Sequence, residues 1–158
     1  MAVTAKKNLR DNISSNWKLR PEKEYYTYDD LIDAYLKGKE EQKNQTQKVL
    51  IEKLERNVKE AKRIVEKITD EIISKGFKPF KSYLRIKDIF KFDAIFDISL
   101  QDFTSDSFEE IYTYSRKIKK EVSNDTFNIN FTFMPHTEDL NEKRIVCDGF
   151  ILVYEKRG

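Results

Sequence analysis

The sequence predicts an α+β domain, a two-layer sandwich, and three observations carry that prediction. From Lys48 to Gly76, apolar residues recur at helical spacing. After Pro79 the period switches to two, in FKFDAIFDISL and again in FNINFTFM. The chain has 158 residues, 39% of them hydrophobic and 13% aromatic, enough to fill one core, so helix stripe and strand faces have each other to cover. The expected order is α-β-β-α-β-β: a long N-terminal amphipathic helix, a mostly antiparallel sheet of about four strands, and a second helix on the same face as the first.

Residues 1–26 read as a basic, aromatic arm, because AKKNLRDNISSNWKLRPEKEYY shows no sustained period. Its Trp17, Tyr25 and Tyr26 are interaction candidates, since an exposed indole or phenol forgoes apolar burial and docks on the parent domain or on a partner. The single α+β domain is expected over 27–158. Thr27, Asp29 and Asp30 resemble a helix start, with Leu31, Ile32, Tyr35 and Leu36 as a short apolar face. The stretch 37–48 has no apolar side chain and reads as a polar hinge or exposed stalk.

The long helix raises a choice of partner. Ile51, Leu54, Val58, Ala61, Val65, Ile68 and Ile72 alternate spacings of three and four, the seam of a two-stranded coiled coil. Yet the flanking positions form no ladder of opposite charges, and Leu50 and Ile64 broaden the stripe, which suits packing on a sheet of the same chain. Own-chain packing is therefore the favoured expectation and self-association the alternative. Gly76 is expected to end the helix as a left-handed cap, with Phe77 folding back.

Next, SYLRIK reads as a short strand. FKFDAIFDISL puts Phe90, Phe92, Ala94, Phe96, Ile98 and Leu100 on one face and Lys91, Asp93, Ile95, Asp97 and Ser99 on the other. TSDSFEEIYTYSRKIKKEV starts with capping residues, has Ser107 and Glu110 at capping-box spacing, and lines up Phe108, Ile111, Tyr112, Ser115, Ile118 and Val122. In FNINFTFM, Phe127, Ile129, Phe131 and Phe133 face inward, with Asn128, Asn130 and Thr132 outward. KRIVCDGFILVYEK reads as one long bulged strand, with an Asp148-Gly149 hairpin turn as the alternative.

Charge and motif content exclude several functions. Thirty basic residues against 28 acidic leave a net charge of +2, too little to attract a polyanion strongly. Four glycines cannot assemble a P-loop or a dinucleotide-binding turn, and one His with one Cys cannot make a structural zinc site of those ligands. No cofactor is implied. His136 reads as a solvated loop side chain, and Cys147 as a small residue of an apolar strand, its thiol silenced by burial. No stretch reaches the ~18 apolar residues of a membrane span, and the N-terminus lacks a signal-peptide core, so a soluble cytoplasmic protein is expected.

Three readings remain. The favoured one is a non-catalytic protein-interaction or adaptor domain, with a protein partner or a second copy bound through its amphipathic helices and aromatic arm. The second is a Mg²⁺-dependent nucleotide or phosphoester enzyme built on Asp93, Asp97 and Asp148. The third is a sheet-surface RNA reader using Tyr83, Arg85, Asn128 and Asn130, disfavoured by interspersed acids and near-zero charge.

Overall fold

A computed structural model describes residues 16–19, 32 and 46–156. The elements are β1 (Trp17–Leu19), α1 (Thr46–Ser74), β2 (Pro79–Ile86), β3 (Lys91–Ile98), α2 (Leu100–Phe103), a 3₁₀ turn (Asp106–Phe108), α3 (Glu109–Val122), β4 (Asn128–Pro135), α4 (Glu142–Cys147) and β5 (Leu152–Tyr154). The fold is mixed α and β, with one five-stranded sheet in the order β1-β5-β2-β3-β4. Neighbouring strands are antiparallel except β3 and β4, which run parallel.

The seam of α1 lies against its own chain. Leu54, Val58, Ala61, Val65, Ile68 and Ile72 are all buried, as is the stripe-widening Ile64, in a cluster with Leu84, Phe92, Phe96 and Ile129 of the sheet. The seam is therefore occupied within the chain, and a two-stranded coiled coil along it draws no support from the fold. Gly76 ends α1 at φ +86°. The Phe77 N–H reaches back to the Ile72 carbonyl at 3.1 Å, and the Phe77 ring packs edge-on against Phe108. Farther along α1, the Asn57 amide donates to the carbonyls of Ile89 and Thr126, each at 2.9 Å, pinning the loops before β3 and β4 to the helix.

The β3 alternation appears as expected through Ile98: Phe92, Ala94, Phe96 and Ile98 face the helices. Ser99 then leaves the strand to cap α2, accepting the Asp102 N–H at 3.2 Å, and Leu100 is exposed rather than inward. The 3₁₀ turn buries Phe108, and α3 buries Ile111, Ser115 and Ile118. The capping box is not formed: the Ser107 hydroxyl pairs with that of Ser105 at 2.8 Å, because a 3₁₀ turn precedes the helix. A helical crossover between β3 and β4 permits their parallel pairing, which a hairpin cannot provide.

Two expectations fail at the ends of the chain. Within the 1–26 arm, Trp17–Leu19 form an edge strand on β5, and Trp17 is buried against Tyr154 with ring centroids 5.1 Å apart. The long bulged strand over 143–156 is instead a two-turn helix and a three-residue strand. Asn141 caps α4 by accepting the Arg144 N–H at 3.1 Å, and Gly149 at φ +101° stops it, with the Phe150 N–H returning to the Ile145 carbonyl. Asp148-Gly149 is thus a helix exit, neither bulge nor hairpin. Cys147 is exposed at its end rather than sheltered in a strand.

This terminal segment also covers the second face of the sheet, where Ile145 and Phe150 pack on Tyr83, Ile95, Met134 and Val153. Among the other expected features, Ile32 is helical and buried, while Tyr25, Tyr26, the capping residues from Thr27 to Asp30 and the polar stretch 37–45 lie outside the described residues.

Candidate functional site

Alternation places Tyr83, Arg85, Asp93, Asp97, Asn128 and Asn130 on the sheet face opposite α1, as the sequence implies. Their availability differs from the expectation. Tyr83 is 1% exposed beneath the α4 segment, so it offers no stacking platform. The Arg85 guanidinium donates to Asp93 Oδ2 through Nε at 3.0 Å and Nη2 at 2.5 Å, donates to the Asp148 carbonyl, and lies over the Phe150 ring. The other oxygen of Asp93 accepts from Asn130 Nδ2 at 3.3 Å, and Asn130 Oδ1 accepts from Lys119 Nζ. Asn128 is half-buried, and its main-chain N–H is bound to the Phe90 carbonyl.

These contacts separate the three aspartates. Asp93 and Asp97 are four residues apart on one strand, about 13 Å, too far to share a cation. Asp148 is exposed beyond α4. Among the described residues no three His, Cys, Asp or Glu side chains converge as a metal site, so the cluster anticipated from Asp93, Asp97 and Asp148 does not assemble.

Instead Asp97 meets His136, a pair the sequence reading missed. The parallel register sets Ile98 beside Pro135, so both residues stand at the carboxyl ends of β3 and β4. Asp97 is 1% exposed, and its Oδ2 lies 2.7 Å from His136 Nδ1. Its Oδ1 has no hydrogen-bond partner among the described residues. Burial pushes the Asp97 carboxyl above the usual carboxylate range, while the His136 hydrogen bond and charge and the Lys81 charge pull it down. The imidazole stacks on Phe80 at 3.9 Å and 17°. Such a pair fixes the ring and leaves Nε2 for proton transfer, but among the described residues the only side chain hydrogen-bonded to His136 is Asp97. The pair was hidden because nothing local announces that β3 and β4 run parallel.

On the helix side, Trp17 and Tyr114 flank a groove of about 640 Å³ along α1 with Lys62, Glu66 and Asp70. The Trp17 indole N–H points to Glu66 Oε2 at 3.4 Å, and Lys62 Nζ sits 5.7 Å from the indole centroid. Trp17 is thus consumed by the fold rather than offered to a partner. Burial lowers the Lys62 pKa to about 8, against the opposing pull of Glu66. With its folded pKa below the unfolded value of 10.5, Lys62 binds fewer protons in the native state, so it makes stability rise between pH 8 and 10. Lys62→Met is expected to remove that rise, read as the difference in urea midpoint at pH 8 and 10; an unchanged slope would contradict the burial of this ammonium. Tyr154, pushed up to about 12 mainly by burial, acts with opposite sign only above pH 10.

The remaining feature is the outer edge of β4. The N–H groups of Asn128 and His136 bond the carbonyls of Phe90, just before β3, and Ile98, at its end, which fixes the parity: even-numbered residues of β4 direct their main-chain groups to β3 and odd-numbered ones outward. Among these, the Ile129 carbonyl accepts from Lys119 Nζ at 3.2 Å. The N–H and C=O of Phe131 and Phe133 have no partner among the described residues. No residue of β4 is charged. An eight-residue edge without charge, guarded among the described residues by Lys119 at one end and Pro135 at the other, is a template for another strand.

In comparisons with protein families, curated proteins and solved structures, nothing matches this chain. No helix among the described residues is long and apolar enough to cross a membrane.

Proposed function

We propose that this chain is a non-catalytic protein-interaction domain that receives a polypeptide strand along the outer edge of β4. The observation that carries the reading is the outward main chain of Phe131 and Phe133, four hydrogen-bonding groups with no partner among the described residues. Main-chain donors and acceptors at strand spacing are complementary to another main chain, and strand addition supplies affinity through those bonds. The Mg²⁺ and RNA readings draw less support, because their aspartates stand apart and Tyr83 and Arg85 are engaged within the fold. A single cysteine, which can form no internal disulfide, suits a reducing compartment, and we place the domain in the cytoplasm.

Amide hydrogen exchange, resolved residue by residue in dilute protein, tests the reading by parity. Asn130, Thr132 and Met134 are expected to be protected by β3, while Phe131 and Phe133 exchange at least tenfold faster. Equal protection of odd and even amides at every dilution would mean that the edge is already closed within one chain, and the reading would fail.

A further inference from the structure

Resting on the strand-addition reading, we propose that the occupant of the β4 edge is a second copy of this chain, paired antiparallel about a twofold axis at Thr132. The hydrogen-bonding inventory of the edge selects this register. In an antiparallel pair, outward-facing residues exchange both bonds with the residue opposite. An axis at Thr132 sets Phe131 opposite Phe133 of the other copy and Phe133 opposite Phe131, so all four unpartnered groups of each chain are satisfied. The next pair sets Ile129 opposite Pro135. Proline has no N–H to give the Ile129 carbonyl, and that carbonyl already accepts from Lys119. The Ile129 N–H meets the Pro135 carbonyl, which completes the edge.

Side chains agree with the register. On the helix-facing side, half-buried Phe131 and Phe133 become cross-strand aromatic neighbours. On the opposite face the exposed Thr132 meets its own copy, a favourable cross-strand pair. A twofold interface sets every residue of the strand against the same uncharged strand, so no like-charge contact between the paired strands opposes it. The product is one continuous ten-stranded sheet, with the α1 seam of each copy still facing its own strands.

The test uses the full chain with Cys147→Ser, which leaves no native thiol to cross-link. About 4.5 Å separates Cα atoms across a non-hydrogen-bonded antiparallel pair, within the ~4.4–6.8 Å range of a disulfide. Thr132→Cys is therefore expected to form an intermolecular disulfide on mild oxidation. Asn130→Cys is not, because the register sets Asn130 opposite Met134 and places its two copies about 14 Å apart. Light scattering of the unmodified chain is expected to give twice the chain mass, and Thr132→Lys, which opposes two ammonium groups on the axis, the mass of one chain. A dimer in which Asn130→Cys cross-links and Thr132→Cys does not would overturn the register. A monomer at all concentrations whose Phe131 and Phe133 amides still exchange fast would overturn the second copy and leave strand addition by another protein standing. A monomer with those amides protected would remove both.

Discussion

Phe96→Ala is expected to cost about 3–5 kcal/mol of unfolding free energy, the range for removing a fully buried aromatic ring that neighbours cannot collapse to replace. Phe96 is 0% exposed on β3, between β2 and β4. Its ring stacks on Phe133 with centroids 5.0 Å apart, and it lies 6.1 Å from Phe131. Phe133 in turn meets Phe108 and Tyr112 edge-on at 5.6 and 5.3 Å, so the cavity would open at the junction of β3, β4 and α3. Domains of this kind are stable by only about 5–15 kcal/mol, and this single change removes a large part. Ile95→Ala, one residue along on the half-exposed face, is the control and is expected to cost well under half as much. Urea unfolding of the two variants beside the parent measures both; equal costs would mean that the faces of β3 are assigned the wrong way round.

The second large effect is expected at His136. His136→Ala leaves the Asp97 carboxylate buried without its partner and strips the stacked ring from Phe80, a loss of about 3 kcal/mol at pH 7. That is the lower end for breaking a buried pair, because the imidazole is itself about one-third exposed and water enters its place. The loss depends on pH with a definite sign. Asp97 already has a folded pKa above its ordinary 3.8, so the native state binds this proton more tightly than the unfolded chain. Its contribution is complete below about pH 4 and is lost as pH rises through the folded pKa. Without His136 the folded pKa rises further, and the cost of the variant should be small near pH 4 and grow towards pH 7. Adding Asp97→Asn should recover most of it at pH 7, since no charge then needs a partner. Unfolding curves at the two pH values check both statements; a cost independent of pH would show that Asp97 is not held as a buried carboxylate.

Sequence periodicity carried information about faces and little about neighbours. The inward set of β3 and β4, from Phe92 to Ile98 and from Ile129 to Phe133, was legible because a period of two fixes every side chain once one is assigned. The stripe of α1 was legible too, and Ile64 beside the seam distinguished a broad own-chain contact from a narrow two-helix one. Ile145, Val146 and Cys147 misled because an apolar run of that length fits a strand or a short helix equally. Asn141 and Gly149, at cap and exit positions, were the missed signal. Trp17 was read as docking on the parent domain or on a partner, but its place in an edge strand was not legible, since a three-residue strand is too short to show alternation. The Asp97–His136 pair follows from the parallel register, and the place of β4 at the sheet edge among the described residues from the strand order, long-range properties that no local pattern encodes. The three aspartates looked like a cluster only while the spacing of Asp93 and Asp97 along β3, and the place of Asp148 at the end of α4, were left out.

Isotope-filtered nuclear Overhauser spectra of a sample mixed from labelled and unlabelled chains test most directly whether α1 lies on its own sheet. Cross-peaks from the Val58, Val65 and Ile68 methyls to side chains of β2 and β3 are predicted within one chain, with none joining these methyls between chains. Methyl-to-methyl cross-peaks between the Val58, Val65 and Ile68 positions of different chains would contradict the account, because the seam would then be a coiled-coil interface and the sheet would need another cover.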